Sequence, residues 1–139
     1  MPTAYITRRE RFSAAHRLFN PELSDEQNRA IYGECSNDNW HGHNFELLVT
    51  VRGPVNPQIG YVVNLKVISQ IIRERVISKL DHRNINLDVD FMRGQIPSTE
   101  NLAVAIWAQL DAPMRDIGVE LHCVRVQETE NNYVEYFGD

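Results

Sequence analysis

The sequence predicts an α+β fold: an antiparallel four-stranded sheet with two helices packed on one face. Three observations lead there. Segments rich in β-branched and aromatic residues stand at both ends of the chain, helical periodicity fills the middle, and neither a repeat nor a low-complexity linker interrupts that order.

The first two strands are expected over Ala4 to Phe12 and over Phe45 to Arg52, and Gly53, Pro54, Pro57 and Gly60 mark the turn that follows. Leu65, Ile68, Ile72, Val76 and Leu80 then step by three and four, which places them on one face of an amphipathic helix. A second helix is announced by Pro97 with Ser98 or Thr99 as capping residues, followed by Glu100 and the apolar positions Leu102, Ile106 and Leu110; it is expected to end before Pro113. Val119 to Gln127 and Tyr133 to Phe137 complete the sheet as two strands joined by the polar turn Glu128 to Asn132. With both helices on one face, the other face needs cover, and contact with other subunits is one way to supply it.

A chain of 139 residues has the size of one ordinary domain, so residues 1–139 are expected to form one. Its 14 Lys and Arg against 19 Asp and Glu give a formal charge of −5, with no basic stripe to track a phosphate backbone, so nucleic acid is not an expected partner. Arg8, Arg9, Arg11 and Arg17 do cluster, and such a cluster could hold a small polyanion. Cys35 and Cys123 cannot build a disulfide framework, no secretion signal follows Met1, and no apolar run approaches membrane-spanning length; a soluble cytoplasmic protein is the expectation.

The sharpest chemical signal is His41-Gly-His43. In an extended segment, residues two apart project to the same side and can bind one ion together. Two solvated imidazoles in a turn would give the same spacing, so the assignment needs a third group. His16, just after the first strand, can supply it, although a histidine there, taken alone, is more often a satisfied core or surface residue. Three imidazoles leave a tetrahedral ion one open position, the arrangement of a catalytic zinc site. Cys35, six residues before His41, leaves two readings open. As a fourth ligand it would close the site into a structural one; held beyond bonding distance it would serve as a base. Asp81-His82 offers a carboxylate beside an imidazole at the end of the first helix, suited to proton transfer or, equally, to a helix terminus. Glu128 stands where an acid can be partly buried and aimed at ring N–H donors, although most glutamates beside a turn are simply solvated. His122 and Cys123 read as structural strand residues, one on each face. No glycine-rich phosphate loop or nucleophile elbow is present, so a nucleotide cofactor is not indicated.

FSAAHRL from Phe12, YGECSNDNWHGHNF from Tyr32, LDHRN from Leu80, PSTEN from Pro97 and ETENN from Glu128 together resemble the 6-pyruvoyl-tetrahydropterin synthase family over nearly the whole chain. That resemblance implies the tunnelling fold, with a trimeric β-barrel stacked into a hexamer and active sites between subunits. It implies Zn2+ on His16, His41 and His43, with Cys35, Asp81 and His82 as the proton-transfer group and Glu128, Ser98, Thr99 and Glu100 contacting a pterin. The implied reaction converts 7,8-dihydroneopterin triphosphate to 6-pyruvoyl-tetrahydropterin and triphosphate, in tetrahydrobiopterin synthesis. The alternative within the family is a 6-carboxy-tetrahydropterin synthase, which releases acetaldehyde and triphosphate in the queuosine pathway. The five residues between Cys35 and His41, and Asn64, look more like the pyruvoyl branch; Trp40 departs from the Gly usual there in animal enzymes.

Overall fold

The computed structural model describes residues 1–139. Two long strands, β1 (Thr3–His16) and β2 (His41–Pro54), pair antiparallel along their whole length, with Thr3 opposite Pro54 at one end and His16 opposite His41 at the other. The sequence suggested shorter strands because Ser13-Ala-Ala and His41-Gly-His-Asn lack β-branched residues. The ladder extends through them because each segment finds the other as a ready partner. β4 (Glu120–Gln127) pairs with β2 and β5 (Tyr133–Tyr136) with β4, both antiparallel.

The sheet has five strands rather than four. A two-residue strand, β3 (Arg83–Asn84), adds parallel to the free edge of β1, giving the order β3-β1-β2-β4-β5. It is too short to carry a periodic pattern, and its placement follows from the helix end that feeds it.

The first core helix spans α2 (Leu65–Ile72), a π-helical stretch (Arg73–Ile77) and α3 (Ser78–Leu80). Ile68, Ile72, Val76 and Leu80 are all fully buried, whereas Leu65 at the helix start is exposed. Steps of four in an α-helix drift by about 40° each, and the wider π turn offsets that drift, keeping the four side chains on the sheet. The second, α4 (Thr99–Asp116), is capped by Ser98 and runs through Pro113 instead of ending before it. Buried Met114 and the Asp111–Arg115 ion pair hold the last turn against the missing amide hydrogen bond.

Both helices cover the sheet face formed by Phe12, Phe45, Leu47, Val49, Val51, Val124 and Val126. The opposite face carries Thr7, Arg9, Arg11, Glu46, Thr50 and Arg52, linked by cross-strand pairs such as Thr7–Thr50 and Arg11–Glu46. A bulge where β4 meets Thr50 and Val51 brings Cys123 opposite Thr50 and His122 beside the rings of Tyr5 and Phe137. The two residues therefore share the helix-free face rather than taking one each, because the bulge breaks strand alternation.

A third helix, α1 (Asp25–Tyr32), lies in the excursion between β1 and β2, in addition to the two that the apolar periodicity predicts. Its capping box, Ser24 with Gln27, was the available signal. A 3₁₀ turn (Gly33–Ser36) follows it and carries Cys35 to the paired ends of the two strands. No helix is long and apolar enough to cross a membrane.

Candidate metal centre and active site

The register of β1 and β2 builds the site. His16 stands directly opposite His41, and Ala14 opposite His43, so three imidazoles meet at one end of the sheet, with ring centroids 4.4, 5.0 and 5.3 Å apart. His16 is buried to 1% exposure, and its Nδ1 lies 2.8 Å from the carbonyl oxygen of Pro97. A carbonyl only accepts, so Nδ1 carries the proton and Nε2 is left with a bare lone pair. Burial holds both His16 and His41 below the ordinary imidazole range, which keeps them neutral and able to donate electrons.

The Nε2 atoms of His16, His41 and His43 are all buried and without a hydrogen-bond partner. One such orphan in a core would be a cost; three converging on one point fit a cation. Glu128 joins them from the turn after β4: its Oε1 stands 2.9 Å from His43 Nε2 and 3.6 Å from His16 Nε2, close but without hydrogen-bond alignment. The three nitrogens and a carboxylate oxygen of Glu128 all lie within 4.8 Å of one another. This set could hold a metal ion, and Glu128 is the member that spacing alone did not place there.

Cys35 is outside that set but lines the same cavity, of about 460 Å³, with Glu34, Asn37, Trp40, His41, His43 and Glu128. Thr99 comes from the first turn of α4 and donates its hydroxyl to Glu128 Oε2 at 2.8 Å. Ser98 uses its own hydroxyl to cap α4 through Asn101, and Glu100 is exposed. Trp40 holds a left-handed backbone, φ 63°, immediately before His41.

Asp81 and His82 are together but apart from Cys35. Asp81 Oδ1 accepts the Ser13 backbone N–H at 2.8 Å, which holds its carboxyl below the usual carboxylate range, and Oδ2 lies 3.1 Å from His82 Nδ1. The His82 ring is 83% exposed and opens onto a second depression that includes Ser13, Asn44 and one side of His43. Within one chain the three expected proton-transfer residues therefore flank the imidazoles from two sides without meeting. Of the four arginines, Arg8 is paired with Glu10, and Arg9 and Arg11 with Glu46; Arg17, beside the site, reaches the Ser36 carbonyl and Asp38.

Fold and site together define an α+β protein in which three histidines and one acid form a cluster that could hold a metal ion. The chain belongs to the 6-pyruvoyl tetrahydropterin synthase family, whose model matches residues 5–139. It is 44% identical over 137 residues to the 6-pyruvoyl tetrahydrobiopterin synthase of Dictyostelium discoideum, covering 99% of this chain and 98% of that one. To the protein of the same description from Homo sapiens it is 43% identical over 136 residues, covering 98% and 92%. The solved structure of Caenorhabditis elegans 6-pyruvoyl tetrahydropterin synthase superposes with a TM-score of 0.93 at 36% identity, covering 100% of this chain and 98% of that one. A 6-carboxy-5,6,7,8-tetrahydropterin synthase from Bacillus subtilis is more distant, 29% identical over 113 residues, covering 78% and 73%.

Proposed function

We propose that this protein is a zinc-dependent carbon-oxygen lyase that converts 7,8-dihydroneopterin triphosphate to 6-pyruvoyl-tetrahydropterin and triphosphate. The observation that carries this reading is the convergence of three bare imidazole nitrogens, with His41 and His43 lining one cavity together with Cys35 and Glu128. Greater identity to 6-pyruvoyl than to 6-carboxy relatives favours the pyruvoyl product.

His16, His41 and His43 would hold Zn2+, which when bound acts as a Lewis acid toward the substrate's side-chain oxygens and makes the neighbouring C–H bonds more acidic. Glu128, steadied by Thr99, receives the N–H donors of the pterin ring and fixes its orientation. Cys35 takes a proton from the side-chain carbon at Sγ, and His82, oriented by Asp81, supplies one at Nε2 before triphosphate leaves. Ring and side chain exchange oxidation level internally, so no external reductant is needed.

The separation of Cys35 from the exposed His82 supports a homohexamer, a dimer of trimers, in which Asp81 and His82 of one copy complete the cavity of another. The sheet edges would then pair between copies, and the helix-free face would line the interior of the barrel. A cytoplasmic setting accords with the two free thiols.

The decisive test is incubation of zinc-loaded protein with dihydroneopterin triphosphate, without reductase or nicotinamide, with products identified by mass. A 6-pyruvoyl product supports the reading. Acetaldehyde with 6-carboxy-tetrahydropterin would replace it with the queuosine-pathway reaction, and absence of turnover by intact zinc protein would remove the substrate assignment.

A further inference from the structure

The two oxygens of Glu128 are engaged in different ways. Oε2 accepts the Thr99 hydroxyl at 2.8 Å, and Thr99, itself only 6% exposed, has little freedom to move. That contact turns Oε1 toward the imidazoles, 2.9 Å from His43 Nε2 and 3.6 Å from His16 Nε2. The second approach is the informative one. His16 gives its proton to Pro97 through Nδ1, so its Nε2 presents a lone pair to a carboxylate oxygen. Two electron-rich atoms gain nothing from that approach unless a cation lies between them. In a tetrahedral zinc site with bonds of 2.0 to 2.2 Å, neighbouring ligand atoms are about 3.3 Å apart. The two Glu128 distances fall on either side of that value. The Cys35 sulfur, the other candidate for a fourth ligand, is not among the atoms that lie within 4.8 Å of one another.

We propose that in the resting protein Glu128 is itself the fourth metal ligand, closing a three-histidine, one-glutamate set, with Thr99 as the positioning residue that fixes its carboxylate. The hairpin that carries Glu128 is pinned by the hydrogen bond from the Glu128 backbone to the Asn132 carbonyl, so the carboxylate is delivered by a fixed backbone. The ligand assignment depends on a metal binding here and not on which substrate is used. One consequence rests on the pterin reading above: where the ring's N–H donors take Glu128 Oε1, they draw it off the metal, so that substrate entry opens a coordination position.

The test uses metal alone, with no pterin present, and so stands apart from the turnover assay. Zn2+ affinity is measured by competition with a chromophoric chelator, and Co2+ is used to report coordination through its visible absorption, in the full-length wild type, Glu128→Gln, Glu128→Ala and Thr99→Val. Glu128→Ala is expected to weaken Zn2+ binding about 100-fold and Thr99→Val about tenfold, the latter on the scale of losing an outer-shell partner. The cobalt spectrum should change in both Glu128 variants. The isosteric Glu128→Gln separates loss of the ligand from loss of fold, checked by thermal unfolding of the metal-free forms. Wild-type affinity and an unchanged cobalt spectrum in both Glu128 variants would overturn the proposal. So would a thiolate-to-cobalt band that disappears in Cys35→Ser, which would give the fourth position to Cys35.

Discussion

The middle and one end of the same face of β1 treat buried polar groups in opposite ways. Toward its middle, Glu10 is 9% exposed, and its Oε1 receives Arg8 through Nε and Nη2, Ser69 at 2.9 Å and Arg73 at 3.0 Å. At its end, His16 is more deeply buried, yet its Nε2 receives nothing, and neither do those of His41 and His43. A fold that satisfies one buried carboxylate so fully has not left three nitrogens bare through loose packing. The satisfied cluster fits a role in stability, and the unsatisfied one fits a bound cation.

The sharpest way to break this comparison is to remove one bare nitrogen. His16→Ala should abolish stoichiometric zinc binding and lower kcat/KM by about 10³-fold or more, while the sheet remains folded. Metal content and steady-state rates of the purified variant check this, and retained zinc at full occupancy would contradict it.

The same contrast predicts a pH dependence for the metal-free protein. His16 and His41 are held below the ordinary imidazole value of 6.5, chiefly by burial, so between that value and their folded values the unfolded chain binds more protons than the native one. Stability should therefore fall as pH drops below 6.5 and level off once the folded rings also titrate. Denaturant unfolding of metal-free protein at about pH 7.5 and about pH 5.5 measures it. A His16→Gln variant should show a shallower fall.

On the satisfied side, Glu10→Ala should leave zinc affinity unchanged but cost about 1–2 kcal/mol of stability. This is less than a fully buried ion pair would cost, because Arg8 and Arg73 can turn to solvent. Denaturant midpoints and zinc titration together decide whether the two clusters are independent. The smallest effect is expected for Ser98→Ala, which removes the α4 cap, about 1 kcal/mol, again with the metal retained.

The features legible in the sequence were those encoded locally. The His-Gly-His pair, the periodicity of Ile68 to Leu80, the Ser98 cap and the turn after Gln127 all depend on neighbours within a few residues. What was not legible is set by long-range pairing. The ladder carries β1 on to His16 across a weakly strand-forming segment, β3 exists only because the edge of β1 is open, and Pro113 survives inside α4 because Met114 is anchored in the core. Glu128 and His16 are far apart in sequence, and only the pairing of β4 with β2 and of β5 with β4 brings that acid to the imidazoles. The Asp81-His82 pair was readable as a pair, but its separation from Cys35 belongs to the three-dimensional arrangement.

Because His16 and His41 are direct cross-strand partners, the whole of residues 17–40 leaves the sheet and returns to it at the same rung. The cost of closing such a loop grows only slowly with its length, by about 0.6 kcal/mol per doubling. Residues could therefore be added to or taken from this excursion with little effect on strand register or on the imidazoles. Such changes would relocate Cys35 and reshape the cavity mouth, so new pockets could be tried over an unaltered set of imidazoles.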